Sequence, residues 1–296
     1  LRIPGTNKSI NIQLKLYGKL GFWSRLKKVE DPLLKMMLDK YRLNLLSIPR
    51  EKASVGDLYV QEANSPYVST PGSISNFLEP VFEIPQVING EVMAFISGTT
   101  SRDASGKAGM DFLEGFLNAL GPAAVGSKVR ASYESSSKNK IVFTFENPTR
   151  DYVDPGLLGR KLIDHSLMSQ HALIAEGRKY YIVTGVARSS AISVISEGDT
   201  KQILDLDAQV MKLANISGDI SVQKNQTGQV TFKGGKSLAF GVELYELKFI
   251  NSSEGRGKFR MDIQENPLVA RGEEEEGQTV PLFGPEEDVA ISIQDK

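Results

Sequence analysis

The side chains that most readily do chemistry are sparse in this sequence. It has two histidines and no cysteine in 296 residues, which excludes thiolate nucleophiles, thiolate metal sites, disulfides and S-acyl anchors within it. His165 and His171 are six apart on a segment that reads as a helix, about 600° around its axis, so they do not share a face as paired metal ligands would. Gly234-Gly235-Lys236-Ser237 has the ending of a phosphate-binding loop, but Val230 stands where the leading glycine belongs. That stretch reads as a turn between strands. Asp151 and Asp154 are close enough in sequence to work as an acid and base pair, although Asp154-Pro155 has the simpler reading of a helix cap followed by proline at the first helical position. Neither a Gly-x-Ser-x-Gly elbow nor a His-Glu-x-x-His zinc motif occurs. Asn7, Asn215, Asn225 and Asn251 open glycosylation-type tripeptides, read as chance matches because no secretory signal accompanies them. The expectation is no enzyme, no metal and no cofactor.

Charge is informative where catalysis is not. The formal net charge is only -1, but the ends are opposite. Leu1 to Lys52 holds 12 basic and 4 acidic residues, +8, and Glu273 to Lys296 holds 8 acidic and 1 basic, -7. Lys19, Phe22, Trp23, Arg25, Lys27 and Lys28 mix basic and aromatic character, as a segment lying on an anionic membrane would. The alternative is a solvated face with Phe22 and Trp23 in the core. No nucleic-acid motif accompanies the charge, so nucleic acid is not an expected partner. No run approaches the length of about 18 apolar residues that a membrane helix needs, so the chain is expected to fold as a soluble protein.

The elements that must position these residues follow from periodicity. Asp31 to Leu46 reads as a helix with Leu33, Leu34, Met37, Leu38 and Tyr41 on one side. Ala53 to Gln86, broken by four prolines, reads as loop with short strands and a helical turn near Ser73 to Leu78. Glu91 to Asp103 is strand-like and Gly109 to Leu120 an amphipathic helix. Ser127 to Glu146 reads as a hairpin: Val129, Ala131 and Tyr133 alternate with Arg130, Ser132 and Glu134, and Ile141, Phe143 and Phe145 return, although Val142 breaks the polar row. A helix is expected from Pro155 to about Ala175, then a long strand Lys179 to Ser196 that includes Ile182, Val186, Ile192 and Val194. Gln202 to Leu213 reads as a helix or connector. Asp219 to Lys233 forms a second hairpin with Ile220 and Val222 opposite Val230 and Phe232, followed by a separate strand Leu238 to Ile250. Asn251 to Gln278 reads as a linker with turn signals at Gly255, Gly257 and Gly272. Beyond it, Leu282 and Phe283, then Val289, Ile291 and Ile293, are apolar islands in an acidic tail.

Long alternating strands beside amphipathic helices suit a protein that stores transmembrane strands before insertion, yet any two-faced sheet also alternates. Particular stretches add a resemblance. Leu45-Leu46-Ser47-Ile48-Pro49-Arg50 after a short helix, Ile141 to Glu146 followed by Asp151-Tyr152-Val153-Asp154-Pro155, Tyr180 to Ser189, and Thr231-Phe232-Lys233-Gly234-Gly235 with Leu238 to Val242 resemble the opening, two finger strands and closing strands of the gasdermins, in particular the bacterial type with a short C-terminal tail. The N-terminal cysteine that bacterial members commonly carry in lipidated form does not occur in this sequence, and the segment before the first helix is longer than in that pattern.

The resemblance implies an α+β fold, a twisted, mainly antiparallel sheet with inserted amphipathic helices, and a cell-death effector of the pyroptosis-like, antiphage kind. It implies a pore-forming domain at 1–265, a cleavable linker at 266–278 and an autoinhibitory peptide at 279–296. The strand residues named above would enter the membrane, the six basic and aromatic residues from Lys19 to Lys28 would meet lipid, and a caspase-like protease would cut near Leu268, Ala270 and Arg271. The chain would then pass from the cytoplasm to the inner membrane as a large ring of copies of itself. Removing Glu273 to Lys296 would change the net charge from -1 to +6, which favours anionic lipid. A constitutive toxin module without protease control and a soluble enzyme are the alternative classes.

Overall fold

Lys179–Glu197 and Val230–Asn251, dense in Val, Ile, Phe, Tyr and Leu, pair antiparallel with each other from Tyr180↔Leu247 to Val194↔Val230. In the computed structural model, which describes residues 32–61, 68–101, 107–121, 124–135, 140–168, 178–197, 220–225, 228–251 and 257–261, every other strand of an 11-stranded sheet adds to this pair. In chain order the elements are α1 (Pro32–Tyr41), β1 (Asn44–Arg50), β2 (Asp57–Gln61), β3 (Val68–Ser73), a 3-10 turn (Ile74–Asn76), β4 (Leu78–Glu79), β5 (Ile88–Val92) and β6 (Ile96–Ser101). They continue with α2 (Lys107–Leu120), α3 (Val125–Ser135), β7 (Lys140–Phe145), β8 (Thr149–Tyr152), α4 (Pro155–Ile163) and β9 (Ser166–Leu167). The long strands are β10 (Lys179–Glu197) and β12 (Val230–Asn251), with β11 (Ile220–Lys224) between them in sequence and β13 (Gly257–Met261) after them.

The sheet has three tiers along β10 and β12. The first is ordered β3-β2-β10-β12-β13, the second β5-β8-β10-β12-β1, and the third β6-β7-β10-β12-β11. Of the register shifts in the central pair, those between Val183 and Gly185 and between Ser189 and Ala191 fall where one tier gives way to the next, and the one between Ala187 and Arg188 lies within the second tier. At Gly185 a Cβ would press on the Glu243 carboxyl at 2.9 Å, so a larger residue there would displace that side chain. Two apolar cores result. One holds Leu58, Tyr59, Tyr180, Ile182, Leu244 and Phe259, and the other holds Leu33, Phe112, Phe116, Phe145, Phe232 and Phe240 beneath the helices.

Several boundaries differ from the sequence reading. The first helix stops at Tyr41, where Arg42 takes a positive φ of 57° and its N–H donates to Leu38 O at 2.9 Å. Leu43, Leu45 and Leu46 are then buried on β1 and its approach, because that strand, paired with β12, lies between the two cores, with Leu45 in one and Leu46 in the other. Asp154 caps α4 as expected, accepting from Leu157 N at 2.8 Å, but the helix ends at Ile163 and β9 pairs with β4. His165 therefore lies past the helix and His171 outside the described residues. The Gly234-Gly235-Lys236-Ser237 stretch is not a turn: Ser189 and Ala191 pair with Leu238 and Lys233, so these four residues bulge within one continuous β12. The expected linker begins instead with a hairpin, since β13 pairs with the end of β12.

Phe145 stacks on Phe240 at 3.7 Å between ring centroids and meets Phe116 at 5.3 Å. Truncating it leaves a void under the helices that close packing does not fill, so Phe145→Ala should lower unfolding free energy by about 3–5 kcal/mol in denaturant titration. A loss under about 1 kcal/mol would show that this core tolerates repacking.

Candidate membrane-inserting region

The third tier has two chemically different faces. One rung aligns Ile96, Phe145, Ile192, Phe232 and Val222, and the rung two residues on aligns Gly98, Phe143, Val194 and Val230, with the exposed Lys224 at its β11 end. Between them, pointing to the opposite face, run Ser97, Thr144, Ser193, Thr231 and Gln223. The apolar rungs are covered by α2 and α3: Phe112 lies 5.9 Å from both Phe143 and Phe145, and Val125, Val129 and Tyr133 complete the same core. Residues 102–139, including both helices, join β6 to β7. Each of those strands has six residues, short of the 9–11 that a membrane-spanning strand needs. The connecting helices hold the sequence that could extend them.

The sequence reading placed Val129, Ala131 and Tyr133 on a strand of a hairpin; all three are on α3. Val125, Val129 and Tyr133 recur every four residues and are buried, while Ala131 is exposed. Positions 129 and 133 satisfy both a period of two and a helical period, and the burial of Val125 with Gly126 decides for the helix. Ile141, Phe143, Phe145, Ile192, Val194, Ile220, Val230 and Phe232 converge on the helix-covered core, with Val222 packed against it. Ile182 and Val186 are fully buried but belong to the other core. Lys19, Phe22, Trp23, Arg25, Lys27 and Lys28, the cleavage region Leu268, Ala270 and Arg271, and the tail residues Leu282, Phe283, Val289, Ile291 and Ile293 lie outside the described residues.

Sequence reasoning missed what fastens the helices. Arg130 on α3 reaches Asp111 at 2.5 Å and Glu114 at 2.9 Å on α2, and Glu134 on its own helix at 2.9 Å. Ser127 Oγ donates to Glu114 Oε1 at 2.6 Å, and Asn118 Oδ1 accepts from Ala124 N at 3.2 Å and Gly126 N at 2.9 Å. Gly126 packs directly on the Glu114 carbonyl, where a Cβ would overlap the backbone. The i,i+4 pair Arg130 and Glu134 was the one legible signal. Elsewhere Arg188 joins β10 to Asp151 at 2.9 Å and to the carbonyls of Glu51 and Ala53. Arg150 pairs with Glu243 at 2.6 Å, yet burial outweighs that partner and pushes the Glu243 carboxyl above its ordinary range. Among the described residues no helix is long and apolar enough to cross a membrane.

Burial alone would raise the Glu114 carboxyl, but the Ser127 hydroxyl and Arg130 outweigh it and hold the group below its ordinary range. A depressed acid contributes stability above its unfolded pKa, about 4.3, and loses it as the pH falls through the folded value. Acidification should therefore loosen α2 from α3. Thermal unfolding from pH 6 to pH 3 should fall more steeply for the native chain than for Glu114→Gln; parallel curves would remove Glu114 from the clamp.

The model of the Bacterial Gasdermin Family matches residues 46–258. A gasdermin of Vitiosangium sp. (strain GDMCC 1.1324) is 27% identical over 227 residues, covering 73% of this chain and 81% of the relative. One of Gillisia limnaea (strain DSM 15749 / LMG 21470 / R-8282) is 22% identical over 257 residues, covering 81% and 92%. The solved structure of a bacterial gasdermin from Bradyrhizobium tropiciagri shares the fold with a TM-score of 0.55 at 17% identity, over 80% of this chain and 95% of that one. The match spans β10, β12 and the α2–α3 cover between β6 and β7, so the chain belongs to the Bacterial Gasdermin Family.

Proposed function

We propose that this chain, as a pore-forming effector of its family and not an enzyme, inserts the third tier of its sheet into a membrane by releasing α2 and α3. The observation that carries the reading is the apolar face of β6, β7, β10, β12 and β11, covered by helices that connect two of its strands. Once the helices leave, lipid can cover Phe143, Phe145, Ile192 and Phe232, and the freed segment can continue β6 and β7 as longer strands in a barrel of many copies. A barrel leaves no edge, so each copy must pair with its neighbours.

Control belongs to the ends of the chain. The acidic tail with Leu282, Phe283, Val289, Ile291 and Ile293 holds the domain closed in the cytoplasm. Tethering gives even a weak peptide an effective concentration near mM until a caspase-like protease cuts within 266–278, around Leu268, Ala270 and Arg271. A cut just after Arg271 removes seven net negative charges, and Lys19, Arg25, Lys27 and Lys28, with Phe22 and Trp23, then bring the domain to anionic inner-membrane lipid. Death of the cell, in a pyroptosis-like response to phage, is the outcome.

A charge at Phe143 cannot test insertion, because that ring is wholly buried before insertion. A removable lock can. A Cβ on Gly234 would lie 3.6 Å from the Leu120 Cβ, within the 3.5–4.5 Å range of a disulfide, and the chain has no other cysteine. Leu120→Cys with Gly234→Cys should pin the end of α2 to β12. Oxidised and cleaved, it should not release dye from vesicles; reduced, it should. Equal release in both states would show that α2 stays on the sheet. Ile291→Asp with Ile293→Asp, or removal of all residues after Gln278, should make the uncut chain leak, and an inert but folded deletion would refute inhibition by the tail.

A further inference from the structure

On the proposed insertion, the face opposite the phenylalanines lines the conduit, and its side chains therefore choose what passes. That face carries the rung Ser97, Thr144, Ser193, Thr231 and Gln223, in which Ser193 Oγ lies 2.7 Å from Thr231 Oγ1 and donates to Glu146 Oε1 at 2.5 Å, and the next rung sets Thr99 beside Val142 and Ile195. Charge enters it in compensated positions. Glu146 N donates to Ala191 O, and Ala191 is registered with Lys233, so Glu146 and Lys233 occupy one rung two strands apart. Two strands separate Glu146 and Lys233 by about 10 Å, comparable with the distance over which charges act in physiological salt. A solute therefore meets neither sign alone.

The linking segments do not upset this balance. Residues 96–146 and 191–234, which contain the third-tier strands and all that connects β6 to β7 and β10 to β12, hold ten basic and ten acidic residues. We infer that the conduit is lined chiefly by hydroxyls and balanced charge, and that it releases anionic and cationic solutes alike, nucleotides and metal cations among them, without electrostatic selection. This rests on the pore reading above.

The test uses the full chain with a protease site placed within 266–278 and cut after folding, on vesicles of anionic phospholipid. The vesicles are loaded with size-matched anionic or cationic dextrans. At about 10 mM salt, where charges act over about 30 Å, the two release rates should agree within about twofold. Lys233→Glu, at an exposed site, leaves two carboxylates on the Glu146 rung of every subunit and should favour cationic over anionic dextran by about fivefold or more. Gln223→Glu, exposed on β11, should bias release in the same direction. A strong bias in the native chain, or equal release through both variants, overturns the inference while leaving the pore intact. Release of neither dextran by the native chain overturns the pore reading and this inference with it.

Discussion

The pairing of β10 with β12 is the constraint on which the rest of the architecture depends. Neither strand is supported by a simple two-layer sandwich; each keeps the other and collects a different outer neighbour at every tier, and the bulges near Gly185 and Ala191 re-aim the chain between tiers. Because side chains alternate within each tier, a one-residue slip of β10 against β12 would turn Ile192 to the face opposite Phe232 and bring Ser193 under the helices in its place. Ser189 guards against such a slip at the last bulge. Its hydroxyl accepts from Ala191 N at 3.1 Å and lies 2.8 Å from Glu146 O, tying β10 to the end of β7.

How far the sequence reveals this depends on whether a residue's partners are near it in the chain. The long strand at Lys179, the amphipathic helix ending at Leu120 and the Asp154 cap are local patterns and are legible, as is the family through Tyr180 to Ser189 and its companions. The continuous β12 is not, because Gly234 and Gly235 are turn formers in isolation and become a bulge only when β10 lies alongside. The end of α1 at Tyr41 is equally hidden. Leu45 and Leu46 suit the helix that precedes them, and it is the distant β12 that claims them for a strand.

The segment Val125–Ser135 is the most instructive misreading. Its side chains are compatible with a strand and with a helix, and the tie is broken by contacts with α2 that no local rule contains: Gly126 against Glu114, Arg130 against Asp111 and Glu114. Conflicts between local preference and fold fall mainly at functional or strained sites. The same ambivalence suits the proposed insertion, in which this segment leaves its helix.

What holds such a segment in place before insertion cannot be apolar burial by itself. Phe143 and Phe145 are dry beneath the helices and would be dry again against lipid tails, which are as apolar as the side chains that cover them now. Burial therefore cancels to a large extent between the two states. The remaining balance falls on interactions with no counterpart in the bilayer: the close backbone approach at Gly126, the Asn118 cap of α3, and the Arg130 carboxylates, each exposed enough that solvent limits its strength. A closed state held by a few modest polar contacts can be tipped by a comparably modest additional one. On the proposed control by the C-terminal tail, a tethered peptide of low intrinsic affinity would suffice as a restraint, and cutting its tether would suffice as a trigger.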